Sequence, residues 1–198
     1  MPATYRSHRL LLYERLYSTW RGPALLLTLL AAGLSLLAPA PLNTLQIRVG
    51  LAAVAVLALL LYVYAVLGPR LAFVQPRPNS LLLSTPFYRL NISYSRVRTT
   101  RPIPFTPGQV PWPDGRIVDP FRGRTQVGLD LNTYPISVRW LRFFLLPYLL
   151  PKDFLGFQFM VTDWMALSRD IEGQRAEWGV RRQATGREQP LTSMTPRR

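Results

Sequence analysis

Cysteine is absent from the 198 residues, which excludes a disulfide framework, a thiol nucleophile and thiolate metal ligation. Histidine occurs once, as His8, in the N-terminal flank with no carboxylate partner in sequence, and reads as an exposed surface residue. Lysine is nearly missing too: 23 arginines stand against the single Lys152. No Asp or Glu lies between Glu14 and Asp114. There is no Gly-rich phosphate loop, no Gly-x-Ser-x-Gly elbow and no His or Cys ligand set for zinc or haem. Asp114, Asp119 and Asp130 could converge, but they are spread over two loops and a strand and read as turn and surface groups. No catalytic residue, metal ligand or cofactor is therefore expected, and the chain is not read as an enzyme.

What is present is apolar length. Residues 22–40 and 49–67 form two uncharged blocks of 19 residues each. A helix of that length spans roughly 28 Å, close to the hydrocarbon thickness of a bilayer. Backbone groups find no water in lipid, so two such blocks in succession read as a transmembrane helical hairpin over residues 22–67. Pro23 suits the first turn of the first span, and Pro39 and Pro41 close it. A basic start followed by Ala38-Pro39-Ala40 also resembles a secretory signal, but Pro41 directly after that site obstructs cleavage. Ala31 and Ser35 on the first span, and Ala52, Ala55 and Ala58 on the second, permit close helix packing.

Charge sets the orientation. Arg6, Arg9, Arg15 and Arg21 precede the first span, Arg70 and Arg77 follow the second, and the 41–48 loop carries one positive charge. By the positive-inside rule both termini face the cytoplasm, with the protein integral to the inner membrane. Residues 1–21 form a basic interfacial segment, with a short helix over 9–20. Trp20, Arg21, Arg48, Tyr62, Tyr64 and Arg70 are the expected membrane-interface anchors, because amphipathic rings and snorkelling arginines favour the head-group layer. The formal net charge of +14 beside such an anchor points to anionic lipid as the polyanionic partner rather than nucleic acid.

Beyond residue 70 the apolar period shortens to that of strands. Leu71 and Phe73, then 80–84, precede Leu90, Ile92 and Tyr94, which alternate with Asn91, Ser93 and Ser95. The same alternation occurs at Val127, Leu129 and Leu131, at Ile136, Val138 and Trp140, and at Phe157, Phe159 and Val161. Short strands between Pro, Gly, Asn and Asp turns predict an antiparallel barrel or sandwich. Six prolines within 102–124 predict a long loop, floppy or lid-like. Asp163 caps a closing helix whose Trp164, Leu167, Ile171 and Trp178 share one face. The fold class is thus α+β, with a β domain over 70–178 and a disordered basic tail over 179–198.

The run SLLLSTPFYRLNISYSRVRT (80–99) resembles the second and third strands of bacterial pleckstrin-homology-like domains, where a Thr-Pro-Phe turn precedes a basic alternating strand. Residues 161–178 (VTDWMALSRDIEGQRAEW) resemble the helix that plugs one end of their barrel. The proline-rich 102–124 segment departs from that pattern. The resemblance implies a small barrel capped by a C-terminal helix, behind the paired spans that are common in that family. It also implies a scaffold, since bacterial members mostly lack an established ligand. Eukaryotic relatives bind phosphoinositides through basic residues near the first strands, which maps here onto Arg89, Arg96, Arg98 and Arg101. The expected function is a membrane-anchored interaction domain with a protein partner, held against anionic lipid. The alternatives are a lipid head-group receptor and an accessory subunit of a transport or secretion complex.

Overall fold

The computed structural model describes residues 5–37, 45–108 and 115–187. Pro39, Pro41, Asp114 and residues 188–198 fall outside that set, as does the Arg48 side chain. The chain opens with a two-residue strand, β1 (His8–Arg9), and passes at once into α1 (Leu11–Leu37). The second long helix is α2 (Leu45–Leu71). Both are long and apolar enough to cross a membrane. Their small residues face each other: Ala24 and Ala31 on α1, Ala58 and Ala65 on α2, are buried, each pair seven residues apart. The leucines around them point outward, as lipid-facing side chains would. Ala52, expected to serve the packing, is on the exposed side.

Two expectations about this region are corrected. Residues 9–20 are not a separate interfacial helix; from Leu11 they are the first turns of α1 itself. Pro23 consequently lies inside the helix, which continues through it with one backbone bond fewer.

A single residue, the buried Ala72, separates α2 from β2 (Phe73–Pro76). With β3 (Ser80–Ser84) and β4 (Arg89–Ser93) this gives an antiparallel sheet ordered β1-β2-β3-β4. The predicted alternation is realised on β4, where Leu90 and Ile92 are buried while Arg89 and Asn91 are exposed. A 3-10 turn, Tyr94–Arg96, then carries the chain into β5 (Val97–Pro104). β5 pairs with β6 (Thr125–Leu131), which pairs with β7 (Gly156–Phe159), to form a second antiparallel sheet. The sheets are separate layers and do not close into a barrel: the 3-10 turn moves the chain from one sheet to the other without pairing β4 to β5.

The proline-rich segment is not the loop expected over 102–124. Pro102 and Pro104 belong to β5, paired with Val127 and Thr125. β5 is an edge strand of its sheet, the one position where a missing N–H removes no needed ladder bond. After the undescribed 109–114 come a one-turn helix, α3 (Gly115–Val118), and a 3-10 turn, Asp119–Phe121. Ile117, Val118 and Phe121 bury against Phe105, Leu12 and Met160. Arg122 holds the return, bonding the Asp119 carboxylate at 2.8 Å and the Pro107 carbonyl at 3.0 Å.

Ile136, Val138 and Trp140, read as a strand, are corrected to the start of α4 (Val138–Phe144). Of its seven residues only Leu141 is fully buried, while Arg139, Trp140, Arg142 and Phe143 are exposed; Leu145 and Leu149, beyond the helix in extended and 3-10 backbone, are buried as well. The final helix, α5 (Trp164–Arg187), begins as expected, the Asp163 carboxylate accepting the Ala166 N–H at 2.9 Å. Leu167 and Ile171 are fully buried, with Trp164 and Trp178 partly so. The helix runs past Trp178 to Arg187, through the first part of the tail expected to be disordered.

The main core lies between the sheets and takes in residues from both ends of the chain. Leu10, Tyr13 and Tyr17 of the N-terminal segment share it with Val74, Leu83, Leu129, Phe157 and Ile171. His8, expected to be exposed and unpartnered, is 6% exposed, and its Nε2 lies 2.9 Å from the Asp170 carboxylate on α5. That carboxylate is 162 residues away in sequence. It fastens the first strand to the last helix.

Candidate membrane-facing surface

The junction between hairpin and β domain gathers most of the expected interface anchors. Arg21 Nε donates to the Ala65 carbonyl at 3.2 Å, which places the start of the first apolar block beside the end of the second. Trp20 is exposed one residue away, and Arg70 is exposed in the last turn of α2. Tyr62 and Tyr64 are half-buried. The Tyr64 hydroxyl lies 3.0 Å from that of Tyr17, and their rings meet edge to face at 5.5 Å. Arg48 belongs to the first turn of α2, about 24 Å of helix away from Tyr64. Five of these six residues therefore lie at the domain-side end of the hairpin, and Arg48 lies at the far end.

The turn between β3 and β4 reaches back to this junction. Its Phe87 ring lies 5.5 Å from that of Tyr64. Thr85 stabilises the turn, exchanging hydrogen bonds with the Tyr88 backbone. Leu71, Thr85, Phe87 and Arg89 line a cleft of about 280 Å³ beside the end of α2. Tyr88 in turn stacks on Phe144 of α4, and the Tyr13 hydroxyl accepts the Leu146 N–H at 3.2 Å. The turn and the end of α4 are thus both fastened to the hairpin's domain-side end.

The four arginines assigned to lipid phosphate do not share one site. Arg89 is exposed at the start of β4, at the α2 end of the sheet. Arg96 lies past the other end of that strand, roughly 16 Å along it, where its guanidinium donates to the Tyr134 carbonyl at 2.8 Å. Arg101 pairs with Asp130 at 3.3 Å and lies over the Phe154 ring at 4.6 Å. Arg98 is exposed on β5. Two of the four are thus occupied within the fold, and two are free to face outward. Of the carboxylates that could have converged, Asp119 is held by Arg122 and Asp130 by Arg101. Burial lifts the Tyr94 phenol well above its ordinary range, which keeps this core ring neutral.

Sequence reasoning passed over α4 and the aromatic turn residues. The available signal is an acid-free run from 131 to 152 in which Arg139, Trp140, Arg142 and Phe143 cluster. Among known protein families, characterised proteins and solved structures, none matches this chain.

Proposed function

We propose that this protein is a non-enzymatic, membrane-anchored docking module. Its hairpin crosses the cytoplasmic membrane with both termini inside, and it holds a pleckstrin-homology-like β domain against anionic head groups for a protein partner. The observation that carries this reading is the absence of a linker: Ala72 alone joins α2 to the sheet, and α1 grows directly out of the core. A domain fixed in this way has one orientation to the bilayer, which suits a platform. The family likeness is supported by seven strands in layers of four and three followed by a core-packed helix. The occupied state of Arg96 and Arg101 counts against a dedicated head-group receptor. Exposed arginines near an anionic surface contribute about 1 kcal/mol each, enough in sum to bias orientation without a specific site.

The absence of cysteine makes the topology directly testable. In spheroplasts an impermeant maleimide is expected to label Asn43→Cys and to reach Ser7→Cys only after permeabilisation; the reverse pattern overturns the orientation. Docking is tested by hydrogen exchange on the full-length protein reconstituted with and without phosphatidylglycerol. Slower exchange in β4 and β5 with the anionic lipid, lost at high salt, is the expected result, because exposed charges are screened. Protection by one lipid that survives high salt favours the receptor instead, and identical exchange in both lipids defeats the lipid-held platform.

A further inference from the structure

The β domain carries an apolar surface that its fold does not use. Outside the hairpin, and among the described residues, the most exposed aromatic side chains are Phe143 (79%), Phe87 (69%) and Trp140 (61%). They form one ledge. Trp140 stacks on Phe144 at 5.9 Å with planes 5° apart, Phe143 meets Phe144 edge-on at 5.0 Å, and Phe144 stacks on Tyr88 at 5.1 Å. Tyr88 is the chain neighbour of Phe87, whose ring contacts Tyr64 of α2 at 5.5 Å. The ring contacts run from Trp140 and Phe143 to Tyr88, and the chain itself links Tyr88 to Phe87 at the hairpin's domain-side end.

The chemistry of α4 is that of a helix lying in a head-group layer. Its inner side buries Leu141, and Leu145, the extended residue that ends the helix, is buried too. Its outer side presents Trp140 and Phe143 with Arg139 and Arg142 exposed beside them. No acidic residue occurs between Asp130 and Asp153. Aromatic rings interleaved with arginine favour the boundary between acyl chains and anionic head groups, where the ring is desolvated and the guanidinium meets phosphate. A soluble protein partner would need no such run of one sign.

We propose that α4 and the β3–β4 turn form a second membrane contact, with Trp140, Phe143 and Phe87 seated in the head-group layer of the leaflet that the hairpin enters. This rests on the hairpin being in the bilayer, and it makes the domain a body held at two points rather than one.

Spin labels on single cysteines, in full-length protein reconstituted into phosphatidylglycerol-containing vesicles, test it. Phe143→Cys is exposed and leaves the core untouched; Arg169→Cys, exposed on α5, is the aqueous reference, and Leu57→Cys, on the outer side of α2, the hydrocarbon reference. The expected result is a ratio of oxygen to nickel-chelate accessibility at Phe143→Cys severalfold above that at Arg169→Cys and below that at Leu57→Cys. A ratio at Phe143→Cys equal to the aqueous reference, with Leu57→Cys in hydrocarbon, overturns the second contact alone. An aqueous Leu57→Cys overturns the anchored reading beneath it. A Phe143→Cys label shielded from both reagents means that protein covers the ledge, which also overturns the proposal.

Discussion

A chain of residues 70–187 is expected not to fold, although the apolar pattern marks 70–178 as a domain of its own. The missing part includes Leu10, Leu12, Tyr13 and Tyr17, all buried, and the β1 strand with its His8–Asp170 bond. Burying a large apolar side chain contributes about 1.5–3 kcal/mol, so the four together contribute on the order of 6–12 kcal/mol. That matches the whole net stability of a typical domain, about 5–15 kcal/mol. Backbone bonds go too: Leu10 N–H to the Ala72 carbonyl at 3.2 Å and Leu11 N–H to the Met160 carbonyl at 2.9 Å. The complementary protein should fold. Arg21 reaches the Ala65 carbonyl, so residues 5–21 can be joined to 65–187 by about four Gly/Ser residues, which extend to roughly 13 Å. A dispersed amide spectrum and a cooperative melt are expected from the joined chain and from it alone. The same spectrum from 70–187 without the N-terminal residues would refute the shared core.

The reason this dependence escapes the sequence is physical. An uncharged run of 19 residues has few structural meanings, so the hairpin is legible from composition alone. β4 and β6 are legible because apolar and polar residues alternate over 90–95 and 127–132, and α5 because an Asp cap precedes a repeating apolar face. Residues 9–20 carry arginine among their leucines and tyrosines, and that mixture suits a head-group layer as well as a domain edge. What settles it is contact with Val74 and Ile171, far along the chain. Pro102 and Pro104 read as loop because their tolerance depends on β5 being at an edge, a property of the assembled sheet. Three alternating residues at 136–140 are too short a run to tell a strand from the two turns of α4.

The candidate surface divides along the same line. Charge is visible in sequence, where Arg89, Arg96, Arg98 and Arg101 stand close together with no acidic residue among them. Which of them remain available depends on where a carbonyl or carboxylate lies in space, and Tyr134 and Asp130 take two of the four. The hairpin tyrosines stand out in sequence by their amphipathic chemistry, and the structure adds that Tyr64 contacts Phe87. Hairpin, turn and α4 are therefore joined by direct ring contacts that no sequence pattern displays.

Gly156→Ala is expected to be among the most damaging single substitutions in the β domain. A Cβ there would fall well inside contact distance of the Leu129 carbonyl oxygen, and 3.2 Å from the Phe154 ring. Neither side can yield easily. Leu129 is on β6, the central strand of its sheet, with its side chain fully buried. Gly156 is held from the other direction by Tyr134, whose hydroxyl accepts the Gly156 N–H at 3.2 Å and donates to its carbonyl at 3.1 Å. The Tyr134 ring is itself braced edge-on against Phe157 at 5.7 Å. Overpacking of this kind costs about 1–3 kcal/mol where side chains can adjust, and more where backbone must move, so a loss of about 3 kcal/mol or greater is expected. Gly173→Ala on α5 supplies the opposite sign. Open space surrounds its Cβ position, and a mid-helix alanine is worth about 1 kcal/mol over glycine. Denaturant unfolding of the detergent-solubilised full-length protein should therefore move the midpoint down for the first and up for the second. Equal midpoints for Gly156→Ala and the parent protein would mean that β6 and β7 do not pair in the register that sets Asp130 opposite Gly156.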